Sequence, residues 1–291
     1  MPNDNNIRYA RIGAAAVVTI DRPDRRNAVD GPTAVELNQA YRRFEADDEA
    51  RVMVLTGAGG AAFAAGADLK NLESFYDRVY VPEGPEGFTR LTADKPTIAA
   101  IEGWCVAGGL ELALWCDLRV SARSARFGFL ERRWGVPLLD GGTQRLPRII
   151  GLGRALDLIL TGRVIDAPEA SAMGLVTELV DDGAALDRAL QLAELIAGFP
   201  PQAMLADRQA TIESAGKDLQ SGFWLEARLG GVAAEEGLRG AKLFAAGAGR
   251  GAAGRDGVGH VRGTLPQVGG VAGGSGQHDR PLQRSQRERG E

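Results

Sequence analysis

Ala107-Gly108-Gly109-Leu110-Glu111-Leu112-Ala113-Leu114-Trp115-Cys116 sets one carboxylate in an otherwise apolar run, directly after a pair of glycines. A carboxylate taken out of water unpaired costs on the order of several kcal/mol, so a chain that keeps one in such surroundings has chemistry for it. The spacing predicts a helix from Gly109 to Cys116. Glycines at its start let the backbone approach a ligand, and the first-turn N–H groups, backed by the helix dipole, favour a developing negative charge. An anion-stabilising backbone beside an acid/base carboxylate reads as a site for enolate chemistry. The alternative is a helix-start carboxylate that only complements the dipole.

Working outward from this helix, Thr97-Ile98-Ala99-Ala100-Ile101 before it and Leu118-Arg119-Val120-Ser121-Ala122 after it are predicted strands, as is Val52-Met53-Val54-Leu55-Thr56. Short continuous apolar runs bounded by glycines or turns are the mark of buried strands. Residues 10 to 20 read as strand material, strongest over 14 to 20, and end in the charged turn Asp21-Arg22-Pro23-Asp24-Arg25-Arg26-Asn27-Ala28. Pro32 and the roughly helical period of Val35, Leu37, Tyr41 and Phe44 predict a helix over 31 to 47. From Gly141 the pattern is helical, through 155 to 161, with one short strand at 176 to 180 and helices at 184 to 197 and 201 to 214. Alternating strands and helices argue for an α/β front with a helical rear, read as one domain without internal repeats.

Composition narrows the function classes. With 44% hydrophobic and 25% charged residues in 291, and no apolar run able to span a bilayer, the chain reads as soluble and globular. Its opening, Met1-Pro2-Asn3-Asp4-Asn5-Asn6, has no signal-peptide pattern, so the expected address is the cytoplasm. Cys105 and Cys116 lie in apolar contexts that suit reduced core thiols better than a disulfide or a metal site. Both histidines, His260 and His278, fall near the end. Histidine-activated nucleophiles and histidine zinc sites are thus excluded from the body, and acid/base work falls to carboxylates, lysine or tyrosine. From Gly247 onward seven arginines face four acids, which leaves −7 of the overall −4 on residues 1 to 246. An acidic body argues against nucleic-acid binding, and the Gly/Arg-rich tail over 247 to 291 is expected to be disordered.

Three further constellations could carry chemistry. Gly57, Gly59 and Ala62 satisfy a dinucleotide-type G-x-G-x-x-A after a strand, but Gly66 interrupts the helix that should follow and no second strand ends in an acid near Asp77. A better account treats Ala65-Gly66-Ala67-Asp68 as a small-residue elbow offering backbone N–H groups, with Asp68 near the start of the next helix; the alternative is a plain loop with a helix cap. Glu111 and Glu131 form a candidate pair: the helix climbs roughly 10 Å and the following strand retreats by a similar or somewhat larger distance, so the two carboxylates can converge. Because Arg132 and Arg133 follow Glu131, a solvated charge cluster is the competing expectation there. Asp140, before Gly141-Gly142-Thr143-Gln144-Arg145-Leu146, either caps the next helix or faces a pocket, and capping is the expectation.

Residues 21 to 28, 63 to 70, 106 to 117, Phe127-Gly128 with Glu131, and 141 to 146 together resemble the crotonase, or enoyl-CoA hydratase/isomerase, superfamily over about residues 7 to 246. The resemblance implies an α/β fold, a spiral of β-β-α turns over about 7 to 195, with a helical trimerisation region over about 196 to 246. It implies homotrimers or dimers of trimers, an acyl-CoA substrate, and no cofactor apart from the coenzyme A of that substrate. Carried over position by position, the amides of Ala67 and Gly108 would form the oxyanion hole, and Glu111 and Glu131 would be the two hydratase glutamates. Arg25 would lie toward the CoA phosphates, and Ala65, Asp68, Leu69 and Lys70 would border adenine and pantetheine, with Lys242 and Phe244 reaching a neighbour's CoA.

Departures from the family pattern are specific. Leu130 stands where hydratases place proline, and Trp134-Gly135-Val136-Pro137-Leu138-Leu139-Asp140 replaces a glycine-rich stretch. An arginine paired with Glu131 would lower its pKa and weaken it as an acid. Asp140 would be a third carboxylate, as in diene-isomerising relatives, with its register shifted by one. The expected activity is reversible hydration of a 2-enoyl-CoA without metal or redox cofactor. The alternatives are isomerisation of an enoyl- or dienoyl-CoA, a non-catalytic acyl-CoA binder, and a dinucleotide oxidoreductase.

Overall fold

The computed structural model describes residues 5–245. The chain opens with an antiparallel hairpin, β1 (Ile7–Ile12) and β2 (Ala15–Ile20), so the stretch expected as one strand over 10 to 20 is two, folded back at Gly13. Most of β1 faces solvent and carries no continuous apolar run, which is why its own signature is absent from the sequence. The helix α1 (Gly31–Ala46) follows, capped by Asp30, whose side chain accepts from the Thr33 amide at 3.0 Å. Next come β3 (Val52–Gly57), β4 (Ala62–Ala64), α2 (Leu72–Tyr76), β5 (Thr97–Ile101), β6 (Trp104–Val106) and α3 (Gly108–Trp115). The series continues with β7 (Leu118–Ala122), β8 (Arg126–Gly128), α4 (Gly142–Ile150), α5 (Leu152–Thr161), β9 (Ile165–Asp166), α6 (Ala167–Ala172) and β10 (Glu178–Val180). Helices α7 (Ala185–Ala197), α8 (Pro201–Glu213), α9 (Leu219–Val232) and α10 (Ala234–Ala245) complete the described chain.

From β3 to β8 successive strands alternate between two sheets. The first has the order β1-β2-β3-β5-β7-β10 and is parallel from β2 to β10; the second has the order β4-β6-β8-β9, with only β9 antiparallel. Three strands of the first sheet are each followed by one of the second (β3 by β4, β5 by β6, β7 by β8), in keeping with the expected spiral of β-β-α turns.

The period of two along the strands decides where the core sits. Ala16, Val18 and Ile20 of β2, Met53 and Leu55 of β3, and Ala99 and Ile101 of β5 face the main core, with Phe63, Leu110 and Phe127. The intervening Val17, Val52, Val54, Ile98 and Ala100 face a second core closed by Ala185, Ala189 and Ala193 of α7. Because the first sheet is covered on both sides, its strands are continuous apolar runs, and for that reason they are legible in the sequence. The strands of the second sheet are two or three residues long and are not.

Residues through Arg239 belong to one compact unit, and Gly240 to Ala245 are the end of α10. The Gly/Arg-rich tail expected to be disordered, with His260 and His278, lies outside the described residues. Among the described residues no helix is long and apolar enough to cross a membrane.

Candidate active site

Two backbone turns bring distant amides together. Helix α3 starts at the end of β6, where Ala107 donates its amide to Gly128 O at 2.9 Å and adopts φ +53°, ψ −132°. A non-glycine residue held at positive φ stores strain, and such residues cluster at functional sites. Gly108, the first residue of the helix, has no intrahelical acceptor for its N–H. Opposite it, Val29 donates to Gly66 O and accepts from the Asp68 amide, both at 2.8 Å, and so straddles Ala67. Neither the Ala67 nor the Gly108 amide donates to another group among the described residues. The two turns are packed against each other: a Cβ built on Gly66 would overlap the Gly108 nitrogen and lie 3.0 Å from the Ala107 Cβ.

A carboxyl cluster lies beside these amides. Glu111, in the first turn of α3, is buried, and its Oε1 accepts from the amides of Asp140 at 3.0 Å and Gly142 at 2.7 Å. Burial, reinforced by the Asp140 carboxylate, raises its pKa to about 8 against the stabilising pull of those two amides. Glu131 sits on a single 3-10 turn, Leu130–Trp134, and is also buried, with neither carboxyl oxygen partnered among the described residues. Its desolvation pushes its pKa up to about 7, against the opposing pull of its own backbone amide and then of Arg132.

The competing expectation for Glu131, a solvated charge cluster, is therefore corrected. The turn directs Arg132 and Arg133 to solvent, Arg132 donating to Ile159 O at 3.1 Å, while Glu131 points inward and has no ion pair among the described residues. The expectation for Asp140 is corrected too. Gly141 occupies the cap position of α4 with no side-chain cap, and Asp140 is buried, its Oδ1 accepting from the Glu86 amide at 3.0 Å and from the Thr89 hydroxyl. Asp140 also has its pKa raised by burial.

These groups line one cavity of about 320 Å³, with Ala65, Ala67, Leu69, Gly108, Glu111, Glu131 and Asp140 on its wall and apolar cover from Val106, Leu130 and Pro137. Asp68 and Lys70 are not on this wall. Asp68 is committed elsewhere: Arg22 Nη2 lies 3.1 Å from both Asp68 Oδ2 and Asp30 Oδ2, and Arg22 Nη1 donates to Ala28 O. This nearly buried triad fastens the elbow carrying Ala67 to the start of α1, and losing one member would strand charge in a poorly solvated place. Arg25 is likewise not on this wall. Arg25 is a partly exposed side chain near Asp24, whereas Arg26, held at φ +51°, lines the cavity.

The residue that sequence reasoning missed is Glu86. It is completely buried, lines the cavity, and neither carboxyl oxygen has a hydrogen-bond partner among the described residues. It lies in Pro82-Glu83-Gly84-Pro85-Glu86-Gly87, a turn-rich polar run that has no apolar periodicity to signal burial.

A spiral of two-sheet turns with two free amides and several buried carboxyls in one pocket defines an enzyme class. Residues 11–236 match the sequence model of the family described as Enoyl-CoA hydratase/isomerase, and the chain belongs to that family. Among curated relatives it is 38% identical over 210 residues to a short-chain-enoyl-CoA hydratase of Clostridium acetobutylicum, covering 71% of this chain and 80% of the relative. It is likewise 38% identical over 222 residues to an (E)-benzylidenesuccinyl-CoA hydratase of Thauera aromatica, covering 75% and 86%. A solved enoyl-CoA hydratase from Mycobacterium marinum superimposes with a TM-score of 0.77 at 37% identity, over 84% of this chain and 96% of that one.

Proposed function

We propose that this protein is an enoyl-CoA hydratase that adds water reversibly across the C2–C3 double bond of a 2-enoyl-CoA thioester. The observation that carries this reading is the presence of two buried carboxyls, Glu111 and Glu131, in the same pocket as two unpaired amides. The thioester oxygen accepts from the amides of Ala67 and Gly108, which stabilise the negative charge that grows on it in an enolate-like state. One water lies between the glutamates. An ionised carboxyl takes a proton from it as its oxygen bonds to C3, and a protonated carboxyl supports delivery of a proton to C2. No redox step enters, and coenzyme A arrives as part of the substrate.

Arg26 at the cavity suits the CoA phosphates, since guanidinium is a planar, permanently charged donor, and Ala65 and Leu69 supply small and apolar wall beside it. The expected domain, residues 1 to 246, is read as assembling into a homotrimer, alone or paired. In support, α9 leaves Phe223, Trp224 and Val232 exposed, more apolar surface than a solitary helix face needs. The two buried free thiols, Cys105 and Cys116, are consistent with a reducing cytoplasm.

The test is turnover of crotonyl-CoA followed through loss of its conjugated enoyl absorbance, with the product identified. Glu131→Gln is expected to lower kcat by about 10²-fold or more, because it removes an acid/base group while keeping shape. Unchanged hydration in that variant would remove Glu131 from the mechanism, and double-bond migration without hydration would favour a one-carboxyl isomerase. Binding of CoA esters with no turnover of any enoyl-CoA would favour the non-catalytic binder.

A further inference from the structure

Glu86 has no role in the two-glutamate scheme, yet its surroundings are those of a working group. It is fully buried, both carboxyl oxygens lack partners, and it lies on the wall of the substrate cavity. A desolvated group with unmet hydrogen-bonding capacity is costly unless a ligand meets it. Its place is fixed from both sides. Asp140 Oδ1 accepts its backbone N–H at 3.0 Å and the hydroxyl of Thr89, while Arg145 holds the carbonyls of Asp140, at 2.9 Å, and Thr89, at 2.5 Å. On the cavity side the carboxyl rests on Gly108: a Cβ built there would overlap Glu86 Oε1 and lie 3.2 Å from Oε2. Only a residue without a side chain leaves that room, and the same residue supplies one of the two amides of the oxyanion site.

The ionisation state follows from the neighbours. Among the described residues no cation pairs with Glu86, and the ionisable groups that bear on its charge, Asp140, Glu111 and Glu131, are all acids. Burial first, and these three carboxyls after it, raise its pKa well above the usual carboxyl range. A neutral carboxyl has one strong O–H donor, and here it has no acceptor until substrate arrives. Buried acids kept neutral so that they can donate to an oxyanion are an established physical solution.

We propose that Glu86 is a third donor of the oxyanion site, its un-ionised carboxyl hydrogen-bonding through O–H to the thioester oxygen beside the amides of Ala67 and Gly108. This rests on the placement of the thioester oxygen made under the proposed function. The group touches the reacting thioester but transfers no proton to carbon, so a neutral donor of the same shape substitutes for it. An ionised Glu86 would instead repel the growing negative charge.

The experiment compares wild type, Glu86→Gln and Glu86→Met, reading kcat and KM for crotonyl-CoA together with the infrared carbonyl stretch of bound butyryl-CoA, which cannot be hydrated. Glu86→Gln is expected to keep kcat within about tenfold and most of the carbonyl shift, since its amide still donates. Glu86→Met is expected to lower kcat by about 10²-fold at little change in KM and to move the stretch back toward that of free thioester. A difference spectrum of wild type should also contain a protonated-carboxyl band that moves on butyryl-CoA binding and is missing in Glu86→Gln, which needs no folded methionine variant. A carbonyl stretch indifferent to Glu86, equal losses in both variants, or no such carboxyl band would overturn the proposal. If the shift depends on Glu86 but no enoyl-CoA is hydrated, the third donor stands and the hydratase reading falls; if hydration proceeds while the shift ignores Glu86, only the third donor falls.

Discussion

Glu111→Gln is expected to lower kcat for crotonyl-CoA hydration by about 10³-fold while leaving the fold intact, the larger of the two glutamate effects. The reasoning is geometric. Glu111 Oε1 is held by the amides of Asp140 and Gly142, and a glutamine carbonyl oxygen accepts both bonds in the same place. Position is therefore retained and the exchangeable proton is lost. The pH profile separates chemistry from structure. With pKa values raised to about 8 for Glu111 and about 7 for Glu131, a mechanism needing one ionised and one protonated carboxyl gives a bell-shaped profile whose limbs belong to the pair. Glu111→Gln removes one limb.

Stability gives an independent check with a definite sign. A carboxyl whose pKa rises from 4.5 unfolded to about 8 folded contributes stability that is complete below the unfolded value and is lost as pH climbs through the folded one. The melting temperature of wild type should therefore fall, relative to that of Glu111→Gln, between about pH 5 and pH 8. A variant that is inactive because it is misfolded would melt lower at every pH, and parallel curves would show that Glu111 does not titrate as described.

Gly66→Ala should be comparably damaging for a different reason. Gly66 adopts φ +79°, and a methyl there would overlap the Gly108 nitrogen. The left-handed conformation alone costs about 1–2 kcal/mol for an alanine. The overlap then forces apart the two segments whose amides meet one oxygen in the proposed mechanism. Losing a single such donor costs about 10²–10³ in rate, and this substitution disturbs both, so a fall in kcat of at least about 10³-fold is expected. Gly60→Ala is the control, because Gly60 has φ +70° with open space around its Cβ position. It should carry the conformational penalty, seen in thermal melting, and keep its turnover. Equal activity in Gly66→Ala and wild type would mean that Ala67 and Gly108 do not act on one atom.

What the sequence revealed depends on how many residues encode each feature. The strands β3, β5 and β7 are buried on both faces and announce themselves as apolar runs, and Glu111 announces itself by contrast with its neighbours. Asp140 and Glu131 were harder because their locations depend on single turns. Adjacent arginines made Glu131 resemble a solvated patch, and a following glycine pair made Asp140 resemble a cap, whereas the chain rotates both acids inward. Arg25 and Arg26 differ by one residue of backbone, and it is Arg26, at positive φ, that lines the cavity. Glu86 had no local signal, since the groups that bury it come from α3 and from the segment ending at Asp140, far away along the chain.

The turn that buries Glu131 also leaves Trp134 on the cavity wall with 72% of its surface exposed. An indole at the mouth of the pocket passes from water into contact with whatever enters. Occupancy is thereby written into the colour of the protein's own fluorescence, which moves to the blue as the ring is dehydrated, so ligands of any chain length can be ranked without a label.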